Sequence, residues 1–175
     1  MRILRRKLRA QRDPIGYARS IGVRVGQDCR ILCDPVGAFG SEPFLVTLGN
    51  HVTVTGGVRF VTHDGGVWIF RQEHPDIDLF GPIVVGDNTF IGVGAIIMPG
   101  VTIGSNCVIG AGSVVTRNVP SDTVAVGTPA RAIKTTDEYW EGIAPRATHI
   151  RSLPYAEKRR ILLEQFGLDA TRADN

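Results

Sequence analysis

From Val85 onward the chain repeats in sixes. An aliphatic residue opens each hexad at Val85, Ile91, Ile97, Ile103, Ile109 and Val115, and glycine follows it in four of the six. A small or branched residue takes the fifth place at Thr89, Ala95, Val101, Cys107, Ser113 and Val119. No helix has that period. It predicts a chain that turns a corner every six residues, three sides to a triangular coil of a β-helix, with each opener pointing inward onto its equivalent one coil away. Glycine at the second place is expected to allow a backbone conformation that a Cβ would obstruct.

The same phase appears earlier, with openers at Val25, Leu48, Val54 and Phe60. Two excursions break it, over 33–47 and 65–82. A coil of this kind accommodates insertions only where they leave the stack, so both are read as corner loops, where function is usually placed. The expected organisation is a basic N-terminal helical cap at 1–22, a β-helix at 23–134 and a C-terminal helical tail at 135–175. In the tail, Pro154 starts a helix whose stripe is Ile161, Leu162, Gln165 and Phe166 and which Gly167 stops.

Composition narrows this further. With 175 residues and 43% hydrophobic content, the chain suits one domain with a sizeable core. The 21 glycines and 10 prolines are explained by the corners. There is no apolar run of about 18 residues and no apolar core of a signal peptide, so a cytoplasmic protein without membrane insertion is expected. The three cysteines have no paired spacing: Cys29 and Cys107 fill small fifth places and Cys33 lies by the first loop, which reads as reduced, packed thiols. The net charge of +3 gathers at the ends. Arg2, Arg5, Arg6, Lys7, Arg9 and Arg12 surround Ile3, Leu4 and Leu8 in a short amphipathic helix, which either meets an anionic membrane face or phosphorylated substrate or simply covers the end of the coil.

The hexads, together with T-H-D at 62–64, P-I-V-V-G-D-N at 82–88 and V-G-T-P-A-R at 126–131, resemble the hexapeptide-repeat acyltransferases. More narrowly, they resemble the sugar and xenobiotic acetyltransferases of lipopolysaccharide and capsule gene clusters. The resemblance covers roughly 23–134. It implies an all-β, left-handed parallel β-helix, acetyl-CoA as donor, a sugar or nucleotide-sugar acceptor, and a homotrimer with active sites between subunits. Neither metal nor nucleic acid is implied.

His63 stands at the family's catalytic position, where the regular coil gives way to the large loop. Attack of a hydroxyl or amine on a thioester needs a base to take the proton as the bond forms, and imidazole suits that task near neutral pH. Its second nitrogen needs a partner. Asp64 is adjacent but points to the other face of an extended strand, whereas Glu42 lies about one coil beneath. Glu42, Asp64 and Trp68 are assigned to the acceptor side of the site. Trp68 and Phe70 in the large loop either pack on a neighbouring subunit or form a platform for a sugar ring, and Asp76 and Asp78 are candidates for its hydroxyls.

For the donor, the resemblance carries backbone contacts to Val93 and Ala111. Thr116 and Arg117 follow at a corner, Arg131 and Lys134 supply cations for the phosphates, and Phe90 stands against the pantetheine arm or is a plain surface aromatic. Two other classes compete. A carbonic-anhydrase-like metalloenzyme on the same scaffold would need three histidine ligands, and the chain has only His51, His63, His74 and His149. A non-catalytic scaffold would need neither His63 nor the G-T-P-A-R turn.

Overall fold

The computed structural model describes residue 8 and residues 10–168. The basic stretch expected at the N-terminus lies largely outside them. The chain divides into two compact units, one running to Trp140 and the other from Glu141.

Strands in the first unit are mostly two or three residues long and pass in turn through three sheets. The first sheet holds β1 (Arg24–Val25), β3 (Val46–Leu48), β6 (Ile83–Val85) and β9 (Thr102–Ile103). The second holds β2 (Arg30–Ile31), β4 (Thr53–Val54), β7 (Phe90–Ile91), β10 (Val108–Ile109), β12 (Thr123–Gly127) and β13 (Ala130–Thr135). The third holds β5 (Arg59–Phe60), β8 (Ile96–Ile97) and β11 (Val114–Val115). All pairings are parallel except β12 with β13. One strand per sheet per turn is the three-sided coil that the period of six predicts.

The openers form the core. Leu48, Val54, Phe60, Val85, Ile91, Ile97, Ile103, Ile109 and Val115 are all buried, as are the fifth-place residues Val52, Val58, Thr89, Ala95, Val101, Cys107 and Ser113. Each inward side chain touches its equivalents above and below, so burial is continuous along the stack and every layer depends on its neighbours. Helix α1 (Pro14–Ser20) stands before the first turn, capped by Asp13, whose carboxylate accepts from the Gly16 N–H at 2.8 Å. Its Ala18 joins the core cluster.

Second-place glycines are required for space. A Cβ at Gly86, Gly92 or Gly104 would meet the next turn's backbone at 2.7, 2.6 or 2.4 Å. The left-handed conformation belongs instead to the fourth place. At the corner between the first and second sheets it is taken by Asp28, His51, Asn88, Asn106 and Asp122, with φ between 52° and 58°. Short polar side chains tolerate that conformation by bonding locally. Here they bond up the stack: Asn88 Nδ2 donates to Asn106 Oδ1 and Asn106 Nδ2 to Asp122 Oδ1, both at 2.9 Å. Asn106→Ala is therefore expected to destabilise by about 2 kcal/mol, from a left-handed cost of about 1–2 kcal/mol and the lost bonds. Asn106→Gly should show the smaller loss, and urea denaturation of both variants checks this.

Corner spacing reports the insertions. Side chains that bond the equivalent backbone position lie 18 residues apart in the uninterrupted part, 23 across the first loop and 37 across the second. The first loop ends sooner than expected, because β3 begins at Val46 and includes Thr47. The last corner departs from the hexad reading. Val119 pairs with Ile103 in the first sheet, and the matching side-chain bond spans 16 residues, so V-T-R-N-V-P is two residues short and Val119 is an inward strand residue rather than a fifth-place one. The Asn118 side chain fills the gap by accepting from the Thr102 N–H at 2.8 Å.

The second unit contains the end of α3 (Thr136–Ile143), a 3₁₀ turn at Ala144–Arg146 and α4 (Tyr155–Gln165). Pro154 stands just before α4, and Gly167 ends it with φ 62°. Of the expected apolar stripe, Ile161 is half-buried while Leu162, Gln165 and Phe166 are exposed. No helix among the described residues is long and apolar enough to cross a membrane.

Candidate active site

The first loop occupies the place of the missing third-sheet strand in the first turn. Asp34 caps the short helix α2 (Pro35–Ala38) by accepting from the Val36 N–H at 3.0 Å. Phe39 then stacks on Phe60 of β5, ring centroids 5.2 Å apart and nearly parallel, and both rings are buried. Gly40 follows with φ +66°, so close to the coil that a Cβ would lie 2.8 Å from Thr62 Oγ1. These contacts deliver Glu42 to the end of β5.

There Glu42 Oε2 lies 3.0 Å from His63 Nδ1 and accepts from Thr62 Oγ1 at 2.7 Å. The Glu42 side chain is 19% exposed and that of His63 41%, so the carboxylate is sheltered while the imidazole faces solvent. The Glu42 carboxyl is held below the usual carboxylate range, first by the Thr62 hydroxyl and further by His63, while burial opposes them. An ionised carboxylate only accepts, so His63 Nδ1 carries a proton, and in the neutral ring the lone pair is then on Nε2. The ring of Phe80 meets His63 edge-on, centroids 6.1 Å apart.

The large loop leaves the coil at this corner and returns beside it. His63 bridges Phe80 antiparallel, Asp64 N–H donates to Leu79 O at 2.8 Å, and Gly81 N–H donates to Thr62 O at 3.0 Å. Asp64 turns its carboxylate to the Gly66 N–H at 2.8 Å and caps the 3₁₀ turn Gly65–Phe70. The structure thus brings Glu42, and not Asp64, to His63. Within the loop Arg71 pairs with Asp78 and lies over the Trp68 ring. Trp68, Ile69, Phe70, Leu79 and Phe80 are all at least half exposed, a large apolar patch beside the imidazole.

The donor residues fall into three groups. Val93 and Ala111 lie at the corner between the second and third sheets, stacked one turn apart, where Gly112 N–H donates to Val93 O at 2.7 Å. Both residues are exposed, and among the described residues neither of their own N–H groups has a partner. Thr116 and Arg117 lie across the third sheet at the corner that also carries His63. Arg117 and Arg131 line one cleft of about 130 Å³. Phe90 and Lys134 stand apart, in a single row on the second sheet through Val108 and Val124, and Phe90 lines a separate depression with Asn88, Asn106 and Tyr139. Thr62 and Gly40 were not anticipated from sequence. Thr62 stands in the T-H-D segment, but its burial is visible only in the fold.

Residues 82–117 match the family model described as the hexapeptide repeat of succinyl-transferase. Protein CapG of Staphylococcus aureus is 54% identical over 148 residues, which cover 85% of this chain and 86% of CapG. The chain belongs to the hexapeptide-repeat acetyltransferase family. Galactoside O-acetyltransferase of Escherichia coli (strain K12) is 37% identical over 93 residues, 53% of this chain and 45% of that enzyme. Among solved structures, the hexapeptide-repeat containing acetyltransferase VCA0836 of Vibrio cholerae shares the fold with a TM-score of 0.54 and 23% identity, covering 77% of this chain and 93% of its own. Its complex with acetyl coenzyme A aligns with a TM-score of 0.50 and 28% identity over 65% of this chain and 60% of that one.

For an acetyltransferase the cysteines raise the question of a covalent acyl-enzyme. Cys107 is buried, with Sγ 3.1 Å from Pro120 O, and burial pushes its thiol up. Burial pushes the Cys33 thiol up to about 11. Neither is a thiolate near neutral pH, so neither is a poised nucleophile. Among the described residues no three histidine, cysteine or acidic side chains gather closely enough to hold a metal ion.

Proposed function

We propose that this acetyltransferase moves an acetyl group directly from acetyl-CoA to a hydroxyl or amine of a sugar, a nucleotide-linked or glycan-precursor acceptor in the cytoplasm, with His63 as general base. The observation that carries the reading is the His63–Glu42 pair. With Nδ1–H committed to the carboxylate, Nε2 is the atom left to take the acceptor's proton as its oxygen or nitrogen attacks the thioester carbonyl. Collapse of the tetrahedral intermediate breaks the C–S bond, and the leaving thiolate recovers the proton from the imidazolium. The sugar acceptor is supported by the name of the galactoside enzyme, and the donor by the coenzyme complex of VCA0836.

The free N–H groups of Val93 and Ala111 suit the amide carbonyls of the pantetheine arm, and one of them near the thioester would stabilise the oxyanion. Arg117 and Arg131 supply paired guanidiniums for phosphate. Phe90 and Lys134 serve the same donor only where a neighbouring subunit brings its own groove to the second sheet. In this reading the coil is left-handed, three chains assemble, and the exposed apolar loop is covered by an adjacent chain with Trp68 at the acceptor. The test is free-thiol release from acetyl-CoA across a panel of nucleotide-linked amino and deoxy sugars. Release with none of them, together with no rise in melting temperature on adding acetyl-CoA, would overturn the proposal. Neutralising Arg117 and Arg131 together is expected to raise the KM for acetyl-CoA by about tenfold or more, most steeply at low salt, with little change in the acceptor's KM.

A further inference from the structure

We propose that Thr62 is a positioning residue of this acetyl transfer: its buried hydroxyl holds the Glu42 carboxylate where that carboxylate selects the tautomer and aim of the His63 imidazole. The inference rests on the reading of His63 as general base and adds a member that the sequence did not single out.

Thr62 and His63 are adjacent, yet their polar atoms meet at the same place, Glu42 Oε2, at 2.7 and 3.0 Å. The two donors therefore define the position of one oxygen. A glutamate side chain turns about three bonds, and Glu42 comes from an irregular loop, so little in its own segment fixes the carboxylate. Thr62 is the opposite case. It is fully buried, β-branched and stiff about χ1, and its backbone carbonyl is tied to the Gly81 N–H at the base of the large loop. Its hydroxyl direction is thus set by the coil.

The Gly40 contact shows that the first loop is built to reach this hydroxyl. The close approach there, with a left-handed backbone and no room for a Cβ against Thr62 Oγ1, lets the chain pass over the threonine and bring Glu42 back onto it. Chemically, a hydroxyl that donates to the carboxylate favours its ionised form. A protonated Glu42 could donate to Nδ1 and leave the proton on Nε2, which is the wrong tautomer for a base. Thr62 acts against that state without touching substrate, and it joins the first loop, through its hydroxyl, and the large loop, through its carbonyl, to the coil.

The experiment compares Thr62→Val, which keeps shape and loses the hydroxyl, with Thr62→Ser, which keeps the hydroxyl. Imidazole ¹⁵N spectra at pH 8 report the tautomer directly, and the His63 signals are assigned by their loss in His63→Ala. The expected result is Nδ1–H in the wild type and in Thr62→Ser, and a mixture with Nε2–H in Thr62→Val. Alongside, kcat should fall by about tenfold or more in Thr62→Val with the KM for acetyl-CoA within about twofold, recover in Thr62→Ser, and show no further fall when Thr62→Val is added to Glu42→Gln. A His63 ring that stays wholly Nδ1–H in Thr62→Val, or equal kcat losses in the valine and serine variants, overturns the proposal. Should Thr62→Val not fold, Thr62→Cys takes its place with the same readouts. Failure of the underlying reading is separate: His63→Ala with near wild-type kcat removes the general base, whatever the tautomer spectra show.

Discussion

His63→Ala is expected to lower kcat by about 10² to 10⁴, the usual contribution of a positioned general base, and to leave fold and assembly unchanged. The imidazole is 41% exposed, so its removal opens no internal cavity. The Glu42 carboxylate left behind keeps its bond from Thr62, so no buried charge is stranded. The KM for acetyl-CoA should move little, since the imidazole acts on the acceptor's proton while Arg117 and Arg131, proposed for the phosphates, line a cleft that does not include His63. A variant that keeps more than about a third of wild-type kcat in an assay limited by chemistry would remove His63 from the reaction and leave the pair as a structural contact.

The second large effect concerns assembly. At acetyl-CoA well below KM, chains carrying His63→Ala are expected to be nearly inactive and chains with Arg117 and Arg131 neutralised to lose about tenfold in rate, and mixing them after dissociation should restore turnover above the sum of the two. If a site takes its histidine from one subunit and its groove from the next, random mixing at equal ratio makes about a quarter of the interfaces intact in both. Glu42 and His63 meet within one chain, so Glu42→Gln chains mixed with His63→Ala chains should recover nothing, which makes them the control. No recovery in the first mixture, or full activity from a monomer in sedimentation, would place a whole site in each chain.

Much of the stack is readable from composition and spacing, because stacking demands a particular side chain at particular places. An inward opener must be apolar since it is buried on every side, and Ile91, Ile97 and Ile109 are. A second-place residue must be glycine where the next turn's backbone comes within 2.7 Å. The fourth place was harder to read, since Asp28, His51, Asn88 and Asn106 look like ordinary turn residues until their left-handed backbone is seen. The shortened last corner was hidden for the same kind of reason: Val115 to Pro120 scans as a hexad, and only the pairing of Val119 with Ile103 shows that two residues are missing.

The candidate site divides along similar lines. His63 is conspicuous where a regular pattern stops, and Glu42 lies within reach of it on a count of residues per turn. That Glu42 rather than Asp64 arrives there depends on Phe39 stacking over Phe60 and on the close passage of Gly40. Asp64 is spent on capping the loop that it begins. Phe90 and Lys134 lie in one row of the second sheet and outside the Arg117–Arg131 cleft, although the resemblance that suggested them assigns all four to one donor.

The sequence by itself determined the three-sided coil, its inward positions, the two places where the coil is interrupted and the histidine at the second of them. These follow from period and phase, and each turn meets only its neighbours, so a local pattern suffices. Only the tertiary structure decided which carboxylate meets that histidine, which nitrogen is left free, and which corner carries each donor group. Those outcomes depend on where an inserted loop lands after leaving the stack, and a loop's landing is set by contacts between residues about twenty positions apart, which no local repeat encodes.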